Sequence, residues 1–316
     1  MEKINIYCHK INTSNKINKY VNKLGNQIYE MTGGANFTKH ADLQKFKQTN
    51  ADNLFEYIKT MVNGTACTDC VTKEKYLVIL MGAPGSGKTL ARKVAAKYIY
   101  TMENSATPID IVSIEKIYKS FIDISIDTFV YDGIVSKGGV SDKSGKELFE
   151  GIKTSADKIT ASRKLYYNQR PHFDSIGGII LQLAVYLGLN VFFETLGNED
   201  YIINLIENFC KYYKYKLIIV YSYIKDKDTH ITRANARADE DGRYIDPAYI
   251  EKTRIDTKNL FDKLKITIPK LLTDEFSYCA LIEFDNTDDY RQYNYTKSMI
   301  PVNIYSFKYN KENKQL

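Results

Sequence analysis

The residues with the clearest chemical potential form one short run after an apolar stretch. Residues 82–89, "GAPGSGKT", fit the spacing G-x-x-x-x-G-K-[ST] without a gap. In this spacing the glycines let backbone N–H groups turn inward around a β-phosphate, the lysine reaches the β and γ oxygens, and the hydroxyl that follows can ligate Mg²⁺. We therefore predict that the loop binds ATP or GTP together with Mg²⁺.

The residues assigned to the nucleotide are those of the loop and the first helical position after it. They are Gly82, Ala83, Pro84, Gly85, Ser86, Gly87, Lys88, Thr89 and Leu90, with Lys88 also catalytic and Thr89 the magnesium ligand. A GTPase would usually carry a base-reading N-K-x-D motif, and the chain has none. The apolar run "NVFFET" contains Glu194 instead of the D-E pair of a motor ATPase. These features favour a kinase.

Two further groups of side chains could serve phosphoryl transfer. Glu194, followed by Thr195, comes at the end of an apolar run, and open α/β sheets bind ligands at the carboxyl ends of their strands. Arg233, Arg237 and Arg243 lie within eleven residues, and guanidinium groups can stabilise the charge that develops on γ-phosphate oxygens. The alternative for the arginines is an ordinary charged helix face.

The elements that must position these residues alternate along the chain. Short apolar runs predict five buried strands, "YLVILM" (76–81), "IDIVSI" (109–114), "NVFFET" (190–195), "KLIIVYSYI" (216–224) and "ALIEFD" (280–285), with helical stretches between them. Such alternation indicates an α/β fold with a parallel sheet flanked by helices. Asp246-Pro247 is a typical start for a further helix, over residues 246–265.

Three regions follow from this pattern. We predict a helical N-terminal extension over residues 1–74, a P-loop kinase domain over residues 75–290, and a polar tail with room for one more strand over residues 291–316. The segment "SKGGVSDKSGKE" (136–147) is rich in Gly, Ser and Lys and contains a second Gly-Lys step. We interpret it as a connection and not as a second phosphate loop, because no buried strand precedes it.

Composition narrows the class of protein. The 316 residues are 44% hydrophobic, enough for a substantial core, and the formal net charge of +6 is spread along the chain, so a nucleic-acid partner is left open but not favoured. Apolar runs long enough for a membrane span or a signal peptide are absent from the sequence, which favours a soluble, cytoplasmic protein. Its five cysteines, including "CTDC" at 67–70, are expected to be reduced thiols and not a zinc site.

Several segments together resemble the zeta-toxin family of P-loop kinases, which phosphorylate UDP-N-acetylglucosamine-type sugars, and their chloramphenicol-phosphotransferase relatives. The similar segments span residues 75–290 and are "VILMGAPGSGKT", "IVSIEKIYKSF", "GLNVFFETLGNEDYI", "ITRANARADEDGRYIDPAYI" and "LIEFDNTDD". The resemblance implies that the γ-phosphate of ATP is transferred to a hydroxyl of a small acceptor such as a nucleotide sugar.

The resemblance also implies roles for particular residues. The family carries an aspartate base soon after its second strand, in a D-x-D-x-F-[RK]-like run, and the matching stretch here, residues 113–118, has Glu115 at the base position. Asp110, just upstream, is the second candidate base. Glu194 would contact the acceptor substrate, with Thr195 as a weaker second substrate residue, and the three arginines would belong to a lid over the transferred phosphate.

Two alternatives stay open at this point. A polynucleotide 5′-hydroxyl kinase would share the loop and an arginine lid. A nucleotide-binding regulatory protein that has lost catalysis would explain why the expected aspartate is missing. The sequence does not name the acceptor or any protein partner.

Overall fold

The computed structural model describes most of the chain after residue 71. The described residues are 72–104, 108–126, 151–164, 188–197, 201–241, 243–288 and 302–310, with isolated positions between 177 and 184. The expected N-terminal helices, the "CTDC" pair and the connection at 136–147 lie outside them. The chain divides into two compact units, a sheet unit comprising Cys70–Asp123, Asn190–Arg237 and Ile245–Leu316, and a second unit comprising Met1–Asp69, Ile124–Leu189 and Ala238–Tyr244. The expected boundaries at 74/75 and 290/291 stay predictions.

The sheet unit is built on a six-stranded, mostly parallel sheet flanked by helices. Its strands are β1 (Tyr76–Met81), β2 (Phe121–Ile124), β3 (Asn190–Thr195), β4 (Lys216–Tyr223), β5 (Tyr278–Asp285) and β6 (Val302–Lys308), in the spatial order β2-β3-β1-β4-β5-β6. Strand β1 is parallel to β3 and β4, and β4 is parallel to β5. The last strand, β6, pairs antiparallel with β5 and forms the edge. The α/β class expected from the sequence is confirmed.

Helices follow the strands closely. They are α1 (Lys88–Glu103), α2 (Ile111–Lys119), α3 (Tyr201–Ile206), α4 (Lys227–Asp241) and α5 (Pro247–Leu271), and a π-helical turn, Glu207–Lys211, continues α3. Residues 155–164 of the second unit are also helical. Among the described residues, none of the helices has both the length and the apolar character that crossing a membrane requires.

Strand β1 is the centre of the core. All six of its residues are buried, as expected for a continuous apolar run between two covered faces. Tyr76, Val78 and Leu80 pack with the apolar residues of α1 and α2. On β4, Tyr221 stacks on Phe261 of α5, with ring centroids 5.0 Å apart. The carboxyl end of β1 is therefore held from both neighbouring strands and both layers.

One strand expected from the sequence is wrong. The run "IDIVSI" does not form the second strand; residues 111–119 form α2, and the strand is the short run "FIDI" that follows. Asp110 is the N-cap of α2, accepting from the Val112 N–H at 3.0 Å. Ile114 and Ile117 are buried at helical spacing, whereas Ile111 and Val112 are exposed, so the hydrophobic period is 3.6 and not 2.

The expected helix at 246–265 is confirmed and extends further. Asp246 caps α5, its carboxylate accepting from the Ala248 N–H at 2.8 Å, and Pro247 occupies the first turn. The helix ends at Leu271, beyond the expected limit, and includes Pro269 in its last turn.

This cap gives a first testable prediction. Asp246→Ala should lower the free energy of unfolding by about 1 kcal/mol, because the Ala248 N–H loses its acceptor. Asp246→Asn, which keeps an acceptor oxygen, should lower it much less. Urea titration of both variants measures the difference, and an equal loss in the two would show that the cap does not stabilise α5.

Candidate functional site

The glycine-rich loop, residues 82–89, leaves the carboxyl end of β1 and leads directly into α1. Gly85 and Gly87 have φ of 82° and 95°, in the left-handed region that side chains disfavour. Gly87 is the N-cap of α1, and its carbonyl accepts from the Leu90 N–H at 2.9 Å. The Ser86 N–H donates to the Ala83 carbonyl at 3.1 Å, which closes the turn. The two glycines are thus required by the path of the loop.

The lysine of the motif folds back across this loop. Lys88 is buried, and its Nζ donates to the carbonyls of Gly82 at 2.9 Å and Ala83 at 3.3 Å. The same Nζ lies 3.6 Å from Oε1 of Glu194, at the end of β3. Thr89 is exposed in the first turn of α1. The structure therefore brings two of the expected site residues, Lys88 and Glu194, together at the edge of the sheet formed by the carboxyl ends of β1 and β3.

An arginine joins Glu194 to a second carboxylate. Arg92, buried on α1, places Nη2 2.8 Å from Oε2 of Glu194 and 3.0 Å from Oδ1 of Asp123. Asp123 lies in β2 and Glu194 in β3, which are neighbours in the sheet. Two carboxylates from adjacent strands thus share one guanidinium beside the glycine-rich loop.

Asp123 has an unusual electrostatic environment. Its Oδ1 is buried, while 42% of its side-chain surface remains accessible, so the carboxyl group is half inside the protein. Burial, and to a smaller extent the charge of Glu194, raise the pKa of Asp123, while Arg92 opposes both effects, and the net result is a pKa of about 6. A carboxylate with such a pKa is ionised at neutral pH and can accept a proton.

Helix α4 lies against the other side of the loop. His230 is fully buried, and its Nε2 lies 2.7 Å from the Pro84 carbonyl. A carbonyl only accepts, so Nε2 carries the proton. Burial lowers the pKa of His230 to about 4, which keeps the ring neutral at pH 7. A methyl group added at Gly85 would lie 3.2 Å from the Ala234 Cβ, so the helix and the loop are in close contact.

Arg233 on the same helix donates hydrogen bonds to backbone carbonyls. Its two terminal nitrogens donate to the carbonyls of Asn286 and Thr287, each at 2.5 Å, directly after β5. Asn286 in turn donates from Nδ2 to the Ser86 carbonyl at 3.2 Å. Arg233 therefore connects α4 to the segment that supports the loop, and a direct role over the phosphate stays a prediction.

The remaining arginines are placed differently. Arg237 is exposed on α4, one turn beyond Arg233. Arg243 follows α4 and belongs to the second unit, with Tyr244. Their assignment to a lid stays a prediction. Thr195, the other expected substrate residue, accepts at Oγ1 from the Gly197 N–H at 3.2 Å. This hydrogen bond stabilises the backbone turn that follows β3.

The two candidate bases lie on α2 and not after the second strand. Asp110 is exposed, and hydrogen bonds from the Ser113 hydroxyl and the Val112 N–H hold its pKa below the usual range. Glu115 lies in the middle of α2. The premise that put them in the base position, a strand over residues 109–114, is wrong. Asp123 is the carboxylate that stands in the second strand.

Sequence reasoning missed Asp123, Arg92 and His230. Asp123 had a weak signal, because it follows two apolar residues, as Glu194 follows a longer apolar run. Arg92 had a weaker one: it lies four and seven residues before Ala96 and Ile99, which are buried, so a cation falls on the apolar face of α1. His230 had none, since its partner is a backbone carbonyl 146 residues away.

Among the described ranges, no group of three or more His, Cys, Asp or Glu side chains could hold a metal ion. Mg²⁺ in nucleotide sites is commonly held by one or two protein groups and by the phosphates themselves. The exposed Thr89 hydroxyl at the start of α1 fits that arrangement.

Comparison with known proteins gives one informative result. No family model matches the chain. The chain is similar to "Uncharacterized protein L872" of Acanthamoeba polyphaga mimivirus, with 28% identity over 332 residues, covering 97% of this chain and 85% of that protein. The similarity extends over nearly the full length of the chain and carries no functional description.

The loop gives a second prediction, with a matched control in the same chain. Gly87→Ala should cost about 1–2 kcal/mol for the left-handed backbone. It should cost about 1 kcal/mol more for the Asn286–Ser86 hydrogen bond, because the new Cβ would overlap the Asn286 amide. Gly151, at φ 88° with nothing within 4 Å of an added Cβ, should show only the backbone cost. Equal unfolding free energies for the two alanine variants would contradict this account of the loop.

Proposed function

We propose that the chain is an ATP-dependent phosphotransferase of the P-loop kinase type, which transfers the γ-phosphate to a hydroxyl of a small acceptor such as a nucleotide sugar. The observation that carries the proposal is the joint position of Lys88, Glu194 and Asp123. The lysine that would bind phosphate lies 3.6 Å from Glu194, and Glu194 shares Arg92 with a carboxylate suited to accept a proton.

The strand order supports a ligand site at this edge. The chain leaves β1 for α1, which packs on one face of the sheet, and leaves β4 for α4 and then α5, whose Phe261 packs on Tyr221. Open α/β sheets bind ligands where connections from neighbouring strands diverge in this way. The glycine-rich loop follows β1 at this point. Backbone N–H groups at the start of a helix are suited to bind phosphate.

In the proposed reaction the acceptor hydroxyl oxygen forms a bond to the γ-phosphorus, and the bond from that phosphorus to the β–γ bridging oxygen breaks. ADP leaves, and the hydroxyl proton passes to Asp123. Lys88 leaves the carbonyls of Gly82 and Ala83 to contact the β and γ oxygens. Glu194 orients the acceptor, and Asp123 accepts the proton because burial makes it a stronger base than an exposed aspartate.

Magnesium would be held by Thr89 and by the phosphates. When bound, it supplies positive charge that stabilises the phosphate oxygens. The protein supplies the rest of the positive charge through Lys88. Arg233, through Asn286, keeps the segment after β5 against the loop, so that its shape is retained when ligands exchange.

The position of Asp123 bears on the two alternatives. The argument for a regulatory protein without catalysis was the missing aspartate, and Asp123 offers a carboxylate in the second strand. A polynucleotide kinase would need a basic groove for the strand, whereas Lys88 and Arg92, the cations described beside the glycine-rich loop at β3, each lie next to a carboxylate. The first observation favours a catalyst, and the second favours a small acceptor.

The direct test is labelled ATP offered with nucleotide sugars, with 5′-hydroxyl oligonucleotides and with no acceptor. We expect transfer to a small hydroxyl acceptor and its loss in Lys88→Ala, since that change removes the cation facing the β and γ phosphates. Transfer only to oligonucleotides would favour the alternative kinase. Binding of Mg-ATP without transfer to any acceptor would favour the regulatory protein.

A third prediction separates the three candidate bases. Asp123→Asn should lower turnover about 10²- to 10⁴-fold and leave the Kd for Mg-ATP nearly unchanged, because a general base acts in the transition state. Glu115→Gln and Asp110→Asn serve as controls and should have small effects on turnover. Steady-state rates and nucleotide titrations measure both quantities. A steep loss of turnover in Glu115→Gln, with only a mild loss in Asp123→Asn, would indicate that Glu115 on α2 is the base.

A fourth prediction concerns pH. Because Asp123 must be ionised to accept a proton and its pKa is raised to about 6, kcat/KM should fall as the pH drops through about 6 and level off above it. With an ordinary aspartate as the base, kcat/KM would stay unchanged down to about pH 4. Rates measured between pH 4.5 and 8 with a poor, chemistry-limited acceptor provide the test.

A further inference from the structure

Arg92 connects the two acids of the candidate site. One nitrogen of Arg92 contacts both carboxylates, Glu194 at 2.8 Å and Asp123 at 3.0 Å, and the side chain is buried. The two acids lie on adjacent strands and contact the same nitrogen, so their negative charges are close enough to repel each other. A cation between them is therefore needed for both to remain ionised at fixed positions.

Lys88 cannot serve this purpose during a reaction. Among the described residues it is a second cation near Glu194, at 3.6 Å, and it is held by the carbonyls of Gly82 and Ala83. A lysine that moves to phosphate oxygens takes its charge away from Glu194. Arg92, which is anchored on α1 and contacts both acids, would stay with them when Lys88 moves.

We propose that Arg92 is a positioning residue for phosphoryl transfer, which holds Asp123 and Glu194 in one rigid arrangement and keeps Asp123 ionised at neutral pH independently of Lys88. This inference rests on the proposed function. Its physical basis is that Arg92 is the opposite charge beside Asp123, while burial and Glu194 both favour the protonated form.

Arg92→Gln removes the charge and keeps a polar side chain. We expect the acid limb of the kcat/KM profile to move upward by about 1 to 3 pH units, so that the loss of rate is large at pH 6.5 and small at pH 9. The Kd for Mg-ATP should change less than about threefold, since the site keeps Lys88 and the loop. Arg92→Lys should keep the limb near its wild-type position with a lower kcat, because a point charge replaces a planar group.

Arg254 provides a matched control for loss of a paired arginine. It is partly buried on α5 and donates to Glu251 at 2.7 Å and to the carbonyl of Lys225 at 2.8 Å. Arg254→Gln should leave the acid limb where the wild type has it. A limb that stays in place in Arg92→Gln, or moves equally in both variants, would overturn the positioning role while leaving the proposed function standing.

A second measurement covers the case in which Arg92→Gln folds but is too unstable for rate measurements over the full pH range, since loss of one partner leaves a buried charge unpaired. The urea midpoints of wild type, Asp123→Asn, Arg92→Gln and the double variant form a thermodynamic cycle. We expect Arg92→Gln to lower the midpoint less in the Asp123→Asn background, where the neutral amide needs no cation. Equal shifts in both backgrounds would overturn the inference. Failure of the wild type to transfer phosphate to any acceptor would overturn the proposed function, and this inference with it.

Discussion

The complete burial of β1 is the constraint on which the rest of this protein depends. The strand is paired on both edges, to β3 and β4, and all of its side chains are buried. Its backbone polar groups are satisfied only while both neighbours stay in place. The chain must then turn sharply at the end of this strand into α1, and Gly85 and Gly87 make that turn with left-handed backbones. The loop is therefore rigidly anchored at its two ends.

The same constraint explains where the charges collect. The carboxyl ends of β2 and β3 come to the edge beside the loop, and they bring Asp123 and Glu194 with them. Half-buried acids are costly unless cations compensate them. Lys88 and Arg92, one helical turn apart on α1, supply the compensation. One helix thus provides both the cation expected to bind phosphate and the cation that neutralises the acids.

The opposite side of the loop is supported without charge. His230 is neutral and donates to the Pro84 carbonyl, while the hydroxyl of Ser222 and the amide of Asn286 both donate to the Ser86 carbonyl, at 2.7 Å and 3.2 Å. These bonds satisfy loop carbonyls from β4, α4 and the segment after β5. They direct the carbonyls inward to the protein. These three contacts hold the shape of the loop, while Lys88 lies beside Glu194 of β3.

The sequence by itself determined the α/β class, the glycine-rich loop, the strands β1, β3, β4 and β5 and the capped start of α5, because each depends on local spacing or a continuous apolar run. It could not choose between "IDIVSI" and "FIDI" for the second strand, since short isoleucine-rich runs suit a helix or a strand, and only packing decides which face is buried. That choice moved the candidate base from Glu115 to Asp123. Only the tertiary structure joined Arg92 to Glu194, 102 residues away, because an ion pair between distant segments depends on strand order and leaves no periodic trace in the sequence.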